Sequence, residues 1–476
     1  MRFNLIIFKR GIFHQDYTRE FGYNLKLAYP VILSLLGHVI VQLVDNIMVG
    51  HLGPSELAAI SLGNSYLLIA LSIGLGFSIA ITPLVAESQI AKRPQVIRLI
   101  FSNGLIICST LGILLCFAIY LAHPILYNMG QSHDVVDMAL PYLKWGSLSL
   151  VPVMMFQAFK QFTDGLSKTL PAMYATVISN ILNVVLNYFL IFGIWIFPEL
   201  GIEGAAIGTF LARSTKVLFM VWYVIDKREI RKYLPSFYDW QFKPVIFQKL
   251  LNIGYPSALQ LMCEFLFFIS AIWLSGILGK LSQAANQIGL NLTAVTYMFA
   301  LGIGVVATIR VGNYKGAKDF DGLKRIAYSI FLLIILIDIV LLLLFLIGRS
   351  HLPWIYLDRN NLEEINEIKS VVYIASQVLL VASVFQIFNG IQAVIIGALR
   401  GLQDVKIPAL ICFFAYGFIG FPISYYFGMK TNYGTQGIWI GLLIGMLVAS
   451  ILLFARFRII SKHMILSRSR SYNHRR

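Results

Sequence analysis

AYPVILSLLGHVIVQLVDNIMVGHLG, residues 28–53, and GYPSALQLMCEFLFFISAIWLSGILG, residues 254–279, are two versions of one pattern. An offset of 226 residues lays 28–92 over 254–318 without a gap. Tyr29-Pro30 falls on Tyr255-Pro256, Leu52-Gly53 on Leu278-Gly279, Ala58-Ala59 on Ala284-Ala285, and Gly63 on Gly289. Gly76, Thr82 and Ala91-Lys92 fall on Gly302, Thr308 and Ala317-Lys318. Many matches are Gly or Pro, which set backbone shape. With small gaps, Gly201-x-x-Gly204-x-x-x-Gly208 recurs as Gly434-x-x-Gly437-x-x-x-Gly441, and Phe156-Gln157-x-Phe159 as Phe385-Gln386-x-Phe388. Duplication inside an apolar chain is a transporter plan, with a site between two halves.

The class follows from composition. The 476 residues are 58% hydrophobic and 13% charged, against about 25% charged in a soluble domain. The net charge of +16 reads as basic loops kept on the cytoplasmic side, not as a nucleic-acid surface. Cys108, Cys116, Cys263 and Cys412 lie in apolar stretches without a CxxC pair, so neither a disulfide frame nor a zinc site is expected. Residues 1–11 are too short an apolar run for a signal peptide, and the first hydrophobic segment is expected to stay as an anchor.

A spanning helix needs roughly 20 mostly apolar residues. Twelve stretches qualify: 24–50, 56–86, 96–121, 137–160, 171–195, 202–224, 248–276, 283–309, 322–347, 368–395, 406–427 and 435–457. The expected organisation is an N-terminal segment 1–23, a six-helix lobe 24–225, a linker 226–247, a second six-helix lobe 248–457, and a basic tail 458–476. Lys92, Arg93, Lys168, Lys227, Arg228, Lys243, Lys315, Lys318, Arg400 and the tail fall on one side. The other side has few basic residues, chiefly Lys280, Arg349, Arg359 and Lys430. The positive-inside rule therefore places both termini in the cytoplasm, with the lobes related by an axis along the membrane normal.

Ionisable groups at membrane depth cost about 2.5–3.5 kcal/mol on insertion scales, so they face a cavity or a partner. Asp45 sits inside the first span, with His38 seven residues earlier on nearly the same face. Glu264 lies within the seventh span, at the position His38 holds in the first. Asn180, Asn183 and Asn187 share one face of the fifth span, and Thr209 of the sixth can add an oxygen. Asn389 follows Phe385 by one turn in the tenth span, with Phe388 between them. Asp338 in the ninth has no evident partner. The mid-span ionisable groups read as mainly acidic or histidine, which favours a cationic cargo. Binding such a cargo at Asp45 or Glu264, against aromatic faces such as Phe385, opposes protonation of the same carboxylate.

These residues, in this order, resemble the multidrug and toxic compound extrusion (MATE) family, in its bacterial NorM-like branch. The resemblance rests on Pro30, Asp45-x-x-x-x-Gly50-x-Leu52-Gly53, Phe162-Thr163-Asp164-Gly165-Leu166-Ser167 and Asn183-x-x-x-Asn187-Tyr188. It continues through Gly254-x-Pro256, Glu264, Ile309-Arg310-Val311-Gly312-Asn313 and Gly397-x-Leu399-Arg400-Gly401. It implies an all-α membrane protein of twelve helices in two pseudo-symmetric lobes forming a V. It also implies multi-pass residence in a bacterial inner membrane and export of organic, cationic small molecules by exchange for protons or sodium. Asp45 matches the coupling carboxylate of the first lobe and Glu264 one of the second. Asn183, Asn187 and Thr209 match positions around Asp45, where sodium can sit; from the residues themselves, His38, Phe385 and Asn389 are further lining candidates. NorM-like members usually carry an aspartate where this chain has Asn389. No cofactor beyond the coupling ion, no nucleic acid and no obligate protein partner is implied.

A flippase for lipid-linked or polysaccharide cargo is the rival of related architecture; such proteins carry basic cavity residues and often extra spans. A membrane-embedded transferase is the rival from another class. No histidine has an aspartate five residues on, and there is no P-loop or GxSxG, so an enzyme is not expected. Singly buried carboxylates do not make a channel's selectivity ring.

Overall fold

Three of the expected spans are interrupted, and in each a proline sits just past the break. Pro83 cannot donate to Ile79, Pro152 cannot donate to Leu148, and Pro422 cannot donate to Phe418, so the helical ladder opens there. A computed structural model describes residues 15–128, 133–194, 197–234, 243–357 and 365–473. Both chain ends and residues 235–242 of the expected 226–247 linker lie outside the described residues. Among those described there are helices and no strands.

In chain order the helices are α1 (Phe21–Gly50), α2 (Pro54–Ser78), α3 (Ile81–Ile90), α4 (Pro94–Ala122), α5 (His133–Leu148), α6 (Leu150–Gly165), α7 (Leu170–Phe192) and α8 (Gly201–Asp226). Then come α9 (Pro244–Ile277), α10 (Lys280–Gly316), α11 (Phe320–Gly348), α12 (Ile365–Gly401), α13 (Lys406–Phe413), α14 (Phe421–Met429) and α15 (Gly434–Asn473). Seven residues, Phe414–Gly420, wind as π-helix between α13 and α14. Among the described residues, eleven helical stretches are long and apolar enough to cross a bilayer, with α2 and α3 forming one of them. The expected fourth span, 137–160, is instead two helices of 16 residues, α5 and α6, meeting at Ser149. Leu218, Trp222, Val340 and Ile347 are 59–80% exposed, as lipid-facing positions require.

The chain divides into two compact units, 30–262 and 1–29 with 263–476. The divisions fall inside α1, at Pro30, and inside α9, not in the 226–247 stretch.

Within each unit the duplication is written in the backbone. Nine described residues have positive φ, and eight of them pair across the repeat: Gly53 with Gly279, Lys92 with Lys318, Ser167 with Gln403, Gly201 with Gly434. Such angles occur where a helix must end or start abruptly, so both halves turn their chains at the same places. The repeat's two threonines also do the same work. Thr82 Oγ1 donates to Gln161 O at 2.9 Å in one unit, and Thr308 Oγ1 donates to Gly397 O at 2.9 Å in the other. Those bonds, and the Ser167/Gln403 pair, fix an offset of 236 along α6 and α12. The Phe156-Gln157/Phe385-Gln386 match is therefore not a structural equivalence. Its offset is 229, and the intervening helix is unbroken.

Small residues bring the helices close. A Cβ on Gly204 would stand 2.5 Å from Leu190 O, and one on Gly437 would stand 2.3 Å from Phe427 O. The two glycine motifs thus seat α8 on α7 and α15 on α14, the close approach that membrane helices use for association.

Candidate functional site

The first unit gathers four of the expected residues into one hydrogen-bonded chain. Asp45, half-buried on α1, accepts a hydrogen bond from Asn187 Nδ2 at 2.7 Å. The same Nδ2 lies 3.5 Å from Asn183 Oδ1, and Asn183 Nδ2 donates to Thr209 Oγ1 at 3.3 Å. Thr209 in turn donates to Ala205 O at 2.9 Å. Asn183 and Asn187 are buried and, four residues apart, lie on the face that α7 turns to Asp45 and Thr209. A carboxylate accepts only, so it fixes the amide of Asn187 with its nitrogen toward Asp45. The amide oxygen then points at α8, where the missing side chain of Gly208 leaves room, and it is buried with no hydrogen-bond partner. An orphaned buried oxygen beside a carboxylate is where a proton donor or a cation would sit. Asn180, the third asparagine of that face, packs instead on Gly37 of α1.

His38 is not part of this chain. Its side chain lies at the surface of the unit, and its Nε2 is 3.3 Å from Lys216 Nζ. That contact corrects the expectation that mid-span charge is mainly acidic or histidine. Lys160 on α6 and Arg213 and Lys216 on α8 all lie within helices of the first unit, and Lys160 and Lys216 are buried. Lys160 Nζ is 3.4 Å from Asp164, one turn on, and Arg213 Nη1 donates to Ser149 Oγ at 2.6 Å. Arg213 and Lys216, three residues apart in the middle of an expected span, were a readable signal; the long apolar context concealed them.

In the second unit Glu264, on α9 and buried, accepts a hydrogen bond from Tyr297 OH of α10 at 2.5 Å. Tyr297 carried no sequence signal, since a tyrosine in an apolar span looks like packing. Asn389, on α12, is buried, and its Oδ1 has no hydrogen-bond partner. Asp338, on α11, is 2% exposed and packs against Gly390, the residue after Asn389, with its Oδ2 unpartnered. Phe385 is fully buried, in T-shaped contact with Phe268 and Trp439 at 6.2 and 5.5 Å, so it packs among core side chains. A separate cleft of about 540 Å³, lined by Ile119, Asp137, Lys144 and Glu203 among others, contains none of the residues of the Asp45 chain.

Outside the spans, Lys168, between α6 and α7, pairs with Glu229 in a short helical turn, Arg228–Arg231. That hydrogen bond and charge hold the Glu229 carboxyl below the ordinary carboxylate range.

Comparison with known proteins gives consistent answers. The family model MatE matches residues 30–189 and 256–426. A "Probable multidrug resistance protein NorM" of Rhizobium meliloti (strain 1021) is 30% identical over 442 residues, covering 93% of this chain and 94% of that protein. A "Multidrug resistance protein MdtK" of Yersinia enterocolitica serotype O:8 / biotype 1B is 31% identical over 461 residues, covering 94% and 97%. Among solved structures, a MATE in the bent conformation superposes with a TM-score of 0.85 at 19% identity, over 93% of this chain and 96% of that one.

Proposed function

Because the chain belongs to the MATE family of membrane transporters, we propose that it is an antiporter that exports organic compounds from the cytoplasm in exchange for protons or sodium ions. The cargo carries a positive group, which Asp45 or Glu264 holds. The observation that carries this reading is Asp45 itself: a carboxylate within a spanning helix, held by Asn187, with the unpartnered oxygen of Asn187 beside it. One negative charge at membrane depth holds one cation at a time. Cargo arriving from the cytoplasm and an ion arriving from outside therefore displace each other. Each charge that moves down the membrane potential supplies about 2.3 kcal/mol per 100 mV. In the second unit Glu264 has a hydroxyl donor, Tyr297, and the residue at the tenth-span position is the amide Asn389. A single carboxylate beside a hydroxyl donor and an amide suits a proton better than sodium, a hard cation that needs several oxygens. The oxygens of Asp45, Asn183, Asn187 and Thr209 suit either ion. On this reading the protein resides in a bacterial inner membrane with both ends in the cytoplasm, and it performs no bond chemistry.

Asp45→Asn keeps the shape and removes the charge. In cells it should abolish efflux of a fluorescent organic cation while leaving the amount of protein in the membrane near that of the wild type. Full efflux at normal abundance would make the aspartate interhelical glue and refute the reading.

The flippase alternative gains one observation, the basic residues Lys160, Arg213 and Lys216 of the first unit. Asp45, a carboxylate on the same helix as His38, favours instead a cargo that also carries a positive group.

A further inference from the structure

Resting on the exporter reading, we propose that Lys216, Arg213 and Lys160, with His38, form a subsite for an acid group on the cargo, so that the exported compounds are zwitterions. Lys216 is 4% exposed and Lys160 is 8% exposed. Lys160 has its counter-ion in Asp164. Among the described residues, Lys216 and Arg213 have no carboxylate within 4.0 Å. The contacts of Lys216 are a second base, His38, at 3.3 Å, and the ring of Phe156, with Nζ 5.6 Å from its centroid. Arg213 gives one hydrogen bond, to Ser149, from five available donors. Basic groups with no carboxylate in contact are costly to charge at this depth unless something negative joins them. A carboxylate supplies the charge and about four acceptor sites.

The fold does not require these residues. Carried across the repeat at the offsets the structure fixes, Lys160 corresponds to Ile396, Arg213 to Met446 and Lys216 to Ala449. All three are buried. Apolar side chains therefore fill the same places on the same helices in the second unit, and packing does not explain the cations. A headgroup resting in the surrounding bilayer does not explain them either. Arg213 lies midway along α8, roughly 18 Å from either end, whereas headgroups stay at the interface. The acid group must arrive on a molecule that enters the unit.

The geometry also sets its partner group. His38, beside Lys216, and Asp45 lie on one face of α1 and seven residues apart, roughly 10 Å along the helix. A cargo that satisfies both ends has an acid group and a positive group at about that separation, joined by an apolar body.

A rhodamine bearing a free carboxylic acid, and its ethyl ester, differ in that acid group alone. Binding of each to the detergent-purified full chain, read by fluorescence polarisation, should favour the free acid by about tenfold in the wild type. Lys216→Met and Arg213→Gln should each remove most of that preference and leave ester affinity within about twofold, while Lys216→Arg keeps the preference. Ester binding reports that each variant is folded. Should Lys216→Met fail to fold, Arg213→Met, which copies the other unit, and the wild-type ratio still decide. Equal binding of the two dyes by the wild type, or a preference that survives both substitutions, overturns the subsite. Ester export from cells without acid preference leaves the exporter reading standing; if neither dye is bound or exported, both readings fall.

Discussion

The two units turn their chains at the same places and carry different interiors. In the first, α1 carries His38 and Asp45; at the same positions of α9 the second carries Glu264 and Ala271. Gly208 leaves room for Asn187 where Gly441 leaves room for Ser424. Arg213 and Lys216 correspond to Met446 and Ala449 in the repeat. What the halves share are the left-handed residues at helix ends, the threonine bonds and the glycine contacts. These fix where chains turn and how closely helices approach. What they do not share are the side chains that bear charge. The duplication therefore repeats the frame and not the polar groups: Asp45 with its asparagines and three basic residues lie in the first unit, and a hydroxyl-bonded carboxylate in the second.

The sharpest way to break this contrast is to remove the second carboxylate. Glu264→Gln should lower gradient-driven efflux by at least about tenfold, because Tyr297 can still bond an amide oxygen but no proton can be exchanged there. Binding of the rhodamine free acid, assigned to the first unit, should stay within about twofold. Loss of acid binding in Glu264→Gln would mean the division of labour is wrong.

The shared frame can be tested separately. Gly204→Ala and Gly437→Ala each push a methyl against backbone of the neighbouring helix, at 2.5 and 2.3 Å. Neither backbone can move aside as a flexible side chain would. Each substitution should destabilise the protein by about 1–3 kcal/mol, read as a lower melting temperature of the purified protein. Clear destabilisation in one half only would show that the units do not rely on the same contacts.

The smallest effect belongs to the surface. Hydrogen-bonded by Lys168, Glu229 has a lowered pKa, so its contribution is present above the ordinary carboxylate pKa and is lost as pH falls through the lowered value. Its side chain is 80% exposed, and such pairs contribute little. Glu229→Gln should leave the melting temperature unchanged at neutral pH within error. A clear drop there that disappears in acid would make this pair a genuine tie.

Much of this was legible in the sequence. Gly and Pro announce the repeat because they act on backbone shape, which the repeat preserves. The Asp45, Asn183, Asn187 and Thr209 set was visible because helical spacing puts the two asparagines on one face. The break at Ser149 was hidden by the apolar run around it, although Pro152 signals it. Tyr297 could not be found: its bond to Glu264 joins two helices, and no local pattern reports a contact between helices. The unit division inside α1 and α9 escaped for the same reason, since the chain continues smoothly through it.

The central claim is that an ion gradient, acting through Asp45 and Glu264, drives cargo out. Proteoliposomes holding the purified chain, with a pH gradient and a sodium gradient imposed one at a time, test it directly. The account predicts that acid on the side opposite the cargo drives dye export without sodium, and that Asn389→Asp increases any sodium dependence. Export that requires a sodium gradient and ignores the pH gradient would contradict the proton assignment at Glu264, and export indifferent to both gradients would contradict the account as a whole.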